Sequence, residues 1–519
     1  VVALSIKQQL TRKRLLGNVL AVLLGGALPL SFAPFNFWPL SFLCLALLIP
    51  LLKDLSLAQT LVRAWLFGVG FYGVGVSWVY ISIHVYGHTA VWLALLMTGF
   101  FIAGLALFTL LQGVSHYYLC RRQPPWLLLL TFPANWVLFE WLRSWLLTGF
   151  PWLYVGTLVT DTPFAGLAPV VGVYGVSFWL VLISTLGYLA VVYRGSGRFY
   201  SLAGIGLLLV LGWGSGWLNW VMPSAQPPVK VSLIQGNVSQ DVKWLPQQER
   251  VSLDTYRQLT EQHWHSRIIV WPEGALPYWY VKSPGYDNPA VAQVADLARQ
   301  AKAHHTTIIT GVPVWQASAT NEQGNSYNGL WAFGSGHGSY DKQKLVPFGE
   351  YVPFAHYLRG LINFFDLPMS NFSVGAAHQP GLLAGNLKVA PLICYESAYP
   401  DFAAQQIANK DLIVSVSDDS WFGHSLGPYQ HLQIAQMRSL ENGRYQLRAT
   451  NTGISAIINQ KGQIVAQAQQ FARQVLTGEA YIYQGETPFT RFGSWPILSL
   501  VALLLVIAKA YSWCRRRRK

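Results

Sequence analysis

The stretch LKVAPLICYES (residues 387–397) decides how this chain is read. Its apolar, β-rich run predicts a buried strand, with Cys394 at the strand's end and Tyr395 and Glu396 just beyond it. The other cysteines, Cys44, Cys120 and Cys514, lie inside or at the ends of distant apolar runs. Cys394 therefore has no evident disulfide partner, and no C-x-x-C or Cys/His zinc spacing surrounds it. A lone thiol in this position is either core filler or a nucleophile.

Outward from this strand the composition changes character. The chain has 519 residues, 52% of them hydrophobic and 11% charged, which is the profile of an integral membrane protein. Apolar runs near 14–31, 35–52, 62–85, 88–116, 125–147, 166–192, 200–221 and 495–513 predict a bundle of about eight membrane helices. Three domains result: a membrane domain at 1–227 with seven spans, a polar segment at 228–490, and a last span with a basic tail at 491–519. The prolines of VMPSAQPP (221–228) mark the exit from the membrane. The polar segment holds 18 Lys/Arg against 19 Asp/Glu, whereas the remainder holds 18 against 3. The net charge of +14 thus belongs to the membrane part and does not indicate nucleic acid.

Sixteen of those 18 membrane-part cations fall before the first span, in every second connection, or after the last span. The positive-inside rule then places both termini in the cytoplasm and 228–490 outside. A lipid-headgroup patch is the alternative reading of the RRRRK tail, but the other loops repeat the pattern. The first span shows no signal-type cleavage site and is expected to remain as an anchor.

Within 228–490, β-rich runs at 229–238, 267–276, 306–315, 387–395, 411–418 and 454–466 alternate with helical stretches at 246–264, 289–304, 399–409 and 425–442. That order predicts an α/β domain whose sheets are covered by helices. Residues 353–368 (PFAHYLRGLINFFDLP) are dense in apolar side chains, among them Phe354, Leu358, Phe364 and Phe365. They form either an ordinary packed helix or an arm that dips into the bilayer interface.

Three strings place ionisable groups where a β-rich run meets a loop: VWPEGA with Glu273, YDKQKLVPFGEYVP with Lys342, Lys344 and Glu350, and ICYES with Cys394 and Glu396. A thiolate can attack an acyl carbonyl if a carboxylate takes its proton and a lysine supports the oxyanion. Glu, Lys and Cys are a sufficient set without histidine, metal or cofactor. Taken singly, each has a plainer reading: a solvated Glu or Lys, a packed Cys, a buried structural acid.

The WPE, K-x-x-L-V-P-F-G-E and C-Y-E elements, in this order, resemble the nitrilase (carbon–nitrogen hydrolase) superfamily. Placed before the last of about eight spans, they are similar to its membrane-bound branch over essentially the whole chain. The resemblance implies an αββα sandwich with Glu273 as general base, Lys342 as oxyanion cation and Cys394 as nucleophile. It also implies supporting roles for Glu350 and Glu396. Tyr395 adjoins the nucleophile, and Asn328 in SYNGL and Trp244 in VKWLP match pocket residues. Lys344 is left as a spare, solvent-facing cation. The activity implied is transfer of an acyl chain from a membrane phospholipid, through a Cys thioester, to the α-amine of the diacylglyceryl-cysteine of apolipoproteins. The expected setting is a bacterial inner membrane, with a periplasmic catalytic domain and a monomeric enzyme. The alternative is a membrane-tethered amidase acting on small soluble amides. A transporter or scaffold with a dead outer domain ranks below both, because the triad is intact.

Three other features carry expectations. His424 and His431, with Asp418 and Asp419 in SDDSWFGHSLGPYQH (417–431), could suggest a metal site on one helix face, but no H-x-x-x-H accompanies them. Ser417 and Ser420 lack a G-x-S-x-G elbow. In the fifth span, Glu140 and Arg143 either hold the bundle together or meet a headgroup. The glycines of LFGVGFYGVGVSW (66–78) are read as close helix packing.

Overall fold

The computed structural model describes residues 2–517 apart from 122, 244, 320, 359 and 361–370. Trp244, Phe364 and Phe365, and the side chain of Leu358, lie outside the described residues. The chain forms two compact units. One comprises Val1–Tyr80, Val91–Leu218 and Phe492–Lys519; the other comprises Ile81–Ala90 and Asn219–Arg491.

The first unit is helical. Among the described residues, five helices are long and apolar enough to cross a membrane: Arg12–Ser31, Val91–Cys120, Ala165–Val192, Ser196–Trp217 and Trp495–Arg515. A sixth arises if the bent pair Leu57–Gly75 and Val79–Tyr86 is one span. The expected count of eight is therefore not reached on length alone. The run at 35–52 yields only the 14-residue helix Pro39–Leu52, and that at 125–147 only the 16-residue helix Leu128–Arg143. At 1.5 Å per residue these reach roughly 21 and 24 Å, short of a hydrocarbon core of about 30 Å. Gly68 and Gly70 do serve close packing. A Cβ on Gly70 would sit 2.1 Å from the Val22 carbonyl oxygen, and one on Gly68 2.0 Å from Thr109 Oγ1.

Glu140 and Arg143 are both buried, and each grips the same loop. Glu140 Oε1 accepts from the Val155 N–H (2.9 Å) and Trp136 Nε1 (3.0 Å). Arg143 donates to the Phe150 carbonyl (2.9 Å) and to that of Trp152, and lies over the Tyr72 and Tyr154 rings. These contacts favour the bundle-holding reading over headgroup binding.

The second unit is a four-layer α/β sandwich. One sheet runs Gln474–Ala480, Val229–Gln235, Ile268–Val270, Thr307–Gln316, Asn325–Gly334, Ser339–Asp341, with the short strand Tyr280–Val281 also paired to Thr307–Gln316. The other runs Ile464–Gln467, Ala456–Ile458, Gln446–Thr450, Leu412–Ser417, Leu387–Ile393, Leu382–Ala384. Side chains from the facing surfaces, including Val231, Val270, Leu330, Val389, Val414 and Leu447, form one core between the sheets. Helices Pro246–Glu261 and Pro289–Ala303 bury apolar stripes on the first sheet. Pro400–Ile407 and Gly427–Asn442 do the same on the second.

All four helices carry proline at the first or second position, where its missing N–H costs nothing. The last ends on Gly443 at φ 62°, a left-handed cap that glycine adopts without strain. The central strands of each sheet are parallel. Strand LIVSVS (412–417) is buried on both faces, which accounts for its nearly continuous apolar character.

Candidate active site

Parallel strands bring their C-terminal ends to one edge, and the motif residues lie there. Cys394 follows Leu387–Ile393, Asp418 follows Leu412–Ser417, Asn451 follows Gln446–Thr450 and Glu273 lies three residues beyond Ile268–Val270. Asn328 lies on Asn325–Gly334, and Lys342 follows Ser339–Asp341.

Glu273 is held at both carboxylate oxygens. Oε1 accepts from Asn328 Nδ2 at 2.7 Å and faces Lys342 Nζ at 3.5 Å, while Oε2 accepts from the Asp418 N–H at 2.9 Å. Its loop comes this close because Gly311 lacks a side chain. A Cβ there would lie 2.3 Å from the Gly274 nitrogen and 2.6 Å from Glu273 Cα. Lys342 is 1% exposed and donates to Glu350 Oε1 at 2.8 Å. Glu350 also accepts from Asn328 Nδ2 (2.7 Å) and the Val346 N–H (2.8 Å). Burial disfavours the Lys342 ammonium, but the carboxylates of Glu350 and Glu273 outweigh it and raise its pKa above the ordinary lysine value.

Cys394 has φ 51°, a left-handed conformation that a non-glycine residue holds only when its surroundings impose it. Those surroundings are specific. Glu396 Oε2 accepts from the Ile393 N–H at 2.8 Å. Ser397 Oγ donates to the Cys394 carbonyl at 2.8 Å, and His431 Nε2 lies 3.2 Å from the same oxygen. The turn thrusts the thiol out of the strand, as a nucleophile elbow does. Burial, reinforced by the Glu273 and Asp419 carboxylates, raises the thiol's pKa well above its usual value, while Lys342 and a Ser417 hydrogen bond oppose the rise. The resting thiol is neutral, so attack requires a base.

Glu396 is fully buried, with Oε1 accepting from Tyr340 Oη (2.8 Å), the Gln343 N–H (2.7 Å) and the Lys344 N–H (3.3 Å). It thereby ties the Lys342 loop to the Cys394 turn. Tyr395 is buried beside the nucleophile, its ring 5.3 Å from that of Tyr399. Lys344 is half-buried, its Nζ 5.4 Å from the centre of the Tyr399 ring and 5.5 Å from that of Phe402. Phe354 is 78% exposed, just before the short helix Ala355–Leu358.

The His/Asp string does other work than metal binding. His424 precedes helix Gly427–Asn442 rather than sharing a helix face with His431, and stacks on Phe471. His431 Nδ1 lies 3.0 Å from Asp419 Oδ1, which also accepts from Ser417 Oγ (2.6 Å), and Asp419 Oδ2 accepts from Arg448 (2.8 Å). Among the described residues no three His, Cys, Asp or Glu side chains could hold an ion. Sequence reasoning missed Lys243, whose Nζ meets Asp418 Oδ2 at 2.8 Å and the Glu273 carbonyl at 3.0 Å, and Asn451. Lys243 sits within the VKWLP string, but only its neighbour Trp244 drew attention.

A double α/β sandwich with this strand-end cluster defines a carbon–nitrogen hydrolase-type domain, carried here by a membrane protein. The carbon–nitrogen hydrolase profile matches residues 230–481, and that of the apolipoprotein N-acyltransferase N-terminal domain matches residues 24–186. An apolipoprotein N-acyltransferase of Pseudomonas syringae pv. tomato is 45% identical over 501 residues, covering 96% of this chain and 97% of its own. Those of Azotobacter vinelandii (44%, covering 98% and 97%) and Coxiella burnetii (40%, covering 95% and 99%) align as fully. The chain belongs to the apolipoprotein N-acyltransferase family.

Proposed function

We propose that this protein N-acylates lipoproteins in two steps, with a membrane phospholipid as donor and the α-amine of a diacylglyceryl-cysteine as acceptor. The observation that carries the reading is the Glu273–Lys342–Glu350–Asn328 cluster at the strand edge that also bears the strained Cys394. In the first step Glu273 takes the thiol proton as sulfur bonds to the ester carbonyl carbon. Lys342 neutralises the oxyanion, an effect worth about 3–4 kcal/mol. The intermediate collapses with loss of the lysophospholipid alkoxide, which takes the proton back from Glu273. In the second step the amine nitrogen attacks the thioester, Glu273 accepts its proton, and the thiolate leaves and is reprotonated.

Glu350 and Glu396 hold Lys342 and Cys394 in register, Asn328 bridges the two acids, and Tyr395 and Trp244 shape the acyl pocket. Phe354, Leu358, Phe364 and Phe365 contact lipid, so that both substrates react without leaving the bilayer. Extraction would cost about 0.8 kcal/mol per methylene. The enzyme acts as a monomer without cofactor and sits in the inner membrane with the outer unit periplasmic, as the one-sided placement of cations supports. Both termini on one side require an even number of passes. The two shorter helices and the bent pair complete eight.

The amidase alternative is not favoured. The function is tested by incubating the protein with phospholipid bearing a labelled acyl chain and a diacylglyceryl-cysteine peptide, its amine free or acetylated. Label should appear as amide on the free-amine peptide only, with equimolar lysophospholipid. Label released as free fatty acid regardless of acceptor would contradict the reading.

A further inference from the structure

Lys243 and Asp418 form an ion pair at 2.8 Å with side chains only 3% and 5% exposed. They are 175 residues apart in sequence; Lys243 ends the short helix Gln240–Lys243, and Asp418 follows the strand Leu412–Ser417. Both also touch Glu273. Lys243 Nζ donates to its carbonyl oxygen at 3.0 Å, and the Asp418 N–H donates to Oε2 at 2.9 Å. The pair is itself braced. Asn451 Nδ2 reaches both Asp418 oxygens at 3.3 Å and the Val238 carbonyl at 2.7 Å, and Ser420 Oγ donates to Asp418 Oδ1 at 2.5 Å.

A buried ion pair is rarely retained for stability, since apolar side chains of similar volume do as well or better. An apolar side chain in place of Lys243 could not donate to the Glu273 carbonyl. We propose that Lys243 and Asp418 are positioning residues that fix the backbone and carboxylate of Glu273 relative to Cys394 and balance the charge around it. This rests on Glu273 being the general base. Among the described residues, the charged and titratable groups around Glu273 are then Lys342, Glu350, Cys394 and this pair. Tyr256 lies beyond, its hydroxyl 3.4 Å from Asn451 Oδ1, and Asp419 is paired with Arg448, with His431 Nδ1 3.0 Å away.

The balance has a sign that a purely structural role lacks. Lys243→Met leaves an uncompensated carboxylate beside the base, which opposes ionisation, so the acid limb of the rate profile moves to higher pH. Asp418→Asn keeps the backbone N–H but leaves an uncompensated ammonium, so the limb moves to lower pH. The double variant K243M/D418N brings the limb back while remaining slow, because the Glu273 carbonyl has lost its donor.

The test is the rate of thioacyl-enzyme formation from phosphatidylethanolamine vesicles by full-length protein between pH 3.5 and 9, for wild type, the three variants and Glu273→Gln. Limb shifts of about one pH unit in opposite directions are expected, with K243M slowed about 100-fold. If K243M fails to fold, the downward shift in D418N decides alone. Single variants with unmoved limbs, or limbs moved in the same direction, overturn the proposal while leaving the base assignment intact if E273Q is inactive. E273Q at the wild-type rate overturns both.

Discussion

Glu396→Gln is the sharpest probe of how the nucleophile's turn is held. The carboxylate accepts three hydrogen bonds on Oε1, from Tyr340, Gln343 and Lys344, and one on Oε2, from Ile393. A glutamine carbonyl can take over the first three. Its NH2 then faces the Ile393 N–H, donor against donor, in a fully buried site. One orphaned buried donor costs about 1–3 kcal/mol. For a unit of this size that lowers the melting midpoint by roughly 3–9 °C.

The orphan adjoins Cys394, so thioester formation should also slow as the left-handed backbone relaxes. The pH dependence is signed. Burial raises the Glu396 pKa to about 7, against the pull of the Ile393 and Gln343 N–H groups. Its contribution to stability is full below the unfolded carboxyl range near 4.5 and is lost as pH rises through about 7. Glutamine does not titrate, so the gap between wild type and variant is widest near pH 5 and narrows by pH 8. Tryptophan-fluorescence melting in detergent at both pH values reads the first effect, and the rate of acyl-adduct formation reads the second. Equal melting at pH 5 together with an unchanged rate would refute the reasoning.

Other substitutions separate site from scaffold. Gly311→Ala puts a Cβ against backbone atoms of the Glu273 loop; displacing the base by about 1 Å should cost on the order of 100-fold in acyl transfer, measured at constant expression. Asp419→Asn leaves the buried Arg448 without its 2.8 Å partner and should destabilise the second unit by about 3–5 kcal/mol, seen as a large drop in melting midpoint. Lys344→Met removes only cation–π contacts, worth about 0.5–1 kcal/mol, and should leave acyl transfer near wild type.

In the second unit the alternation of β-rich and helical runs made an α/β domain with helix-covered sheets legible, while the αββα layering came from the family resemblance. The strand-end positions of Glu273, Lys342 and Cys394 followed from the same patterns. Strands Asn325–Gly334 and Gln446–Thr450 were not legible. The first mixes Asn, Gly and aromatics, and the second buries Gln446 and Arg448 through hydrogen bonds that composition does not reveal. Helix Gly427–Asn442 was legible as the helical stretch at 425–442, although it is almost wholly buried and carries His431, Arg438 and Glu441. The expected strand at 454–466 divides at the Asn459–Gly462 turn into Ala456–Ile458 and Ile464–Gln467. The Lys243–Asp418 pair joins distant segments, and no local spacing could announce it. Span counting was least certain where apolar runs contain turns, since hydropathy records composition rather than helix length.

The central claim is a thioester on Cys394, and intact-mass measurement of the purified protein after incubation with phospholipid alone tests it most directly. The account predicts a hydroxylamine-labile adduct of one fatty-acyl mass on the wild type and none on Cys394→Ala. An adduct that persists in Cys394→Ala, or no adduct on folded wild type with phospholipid in excess, would contradict it.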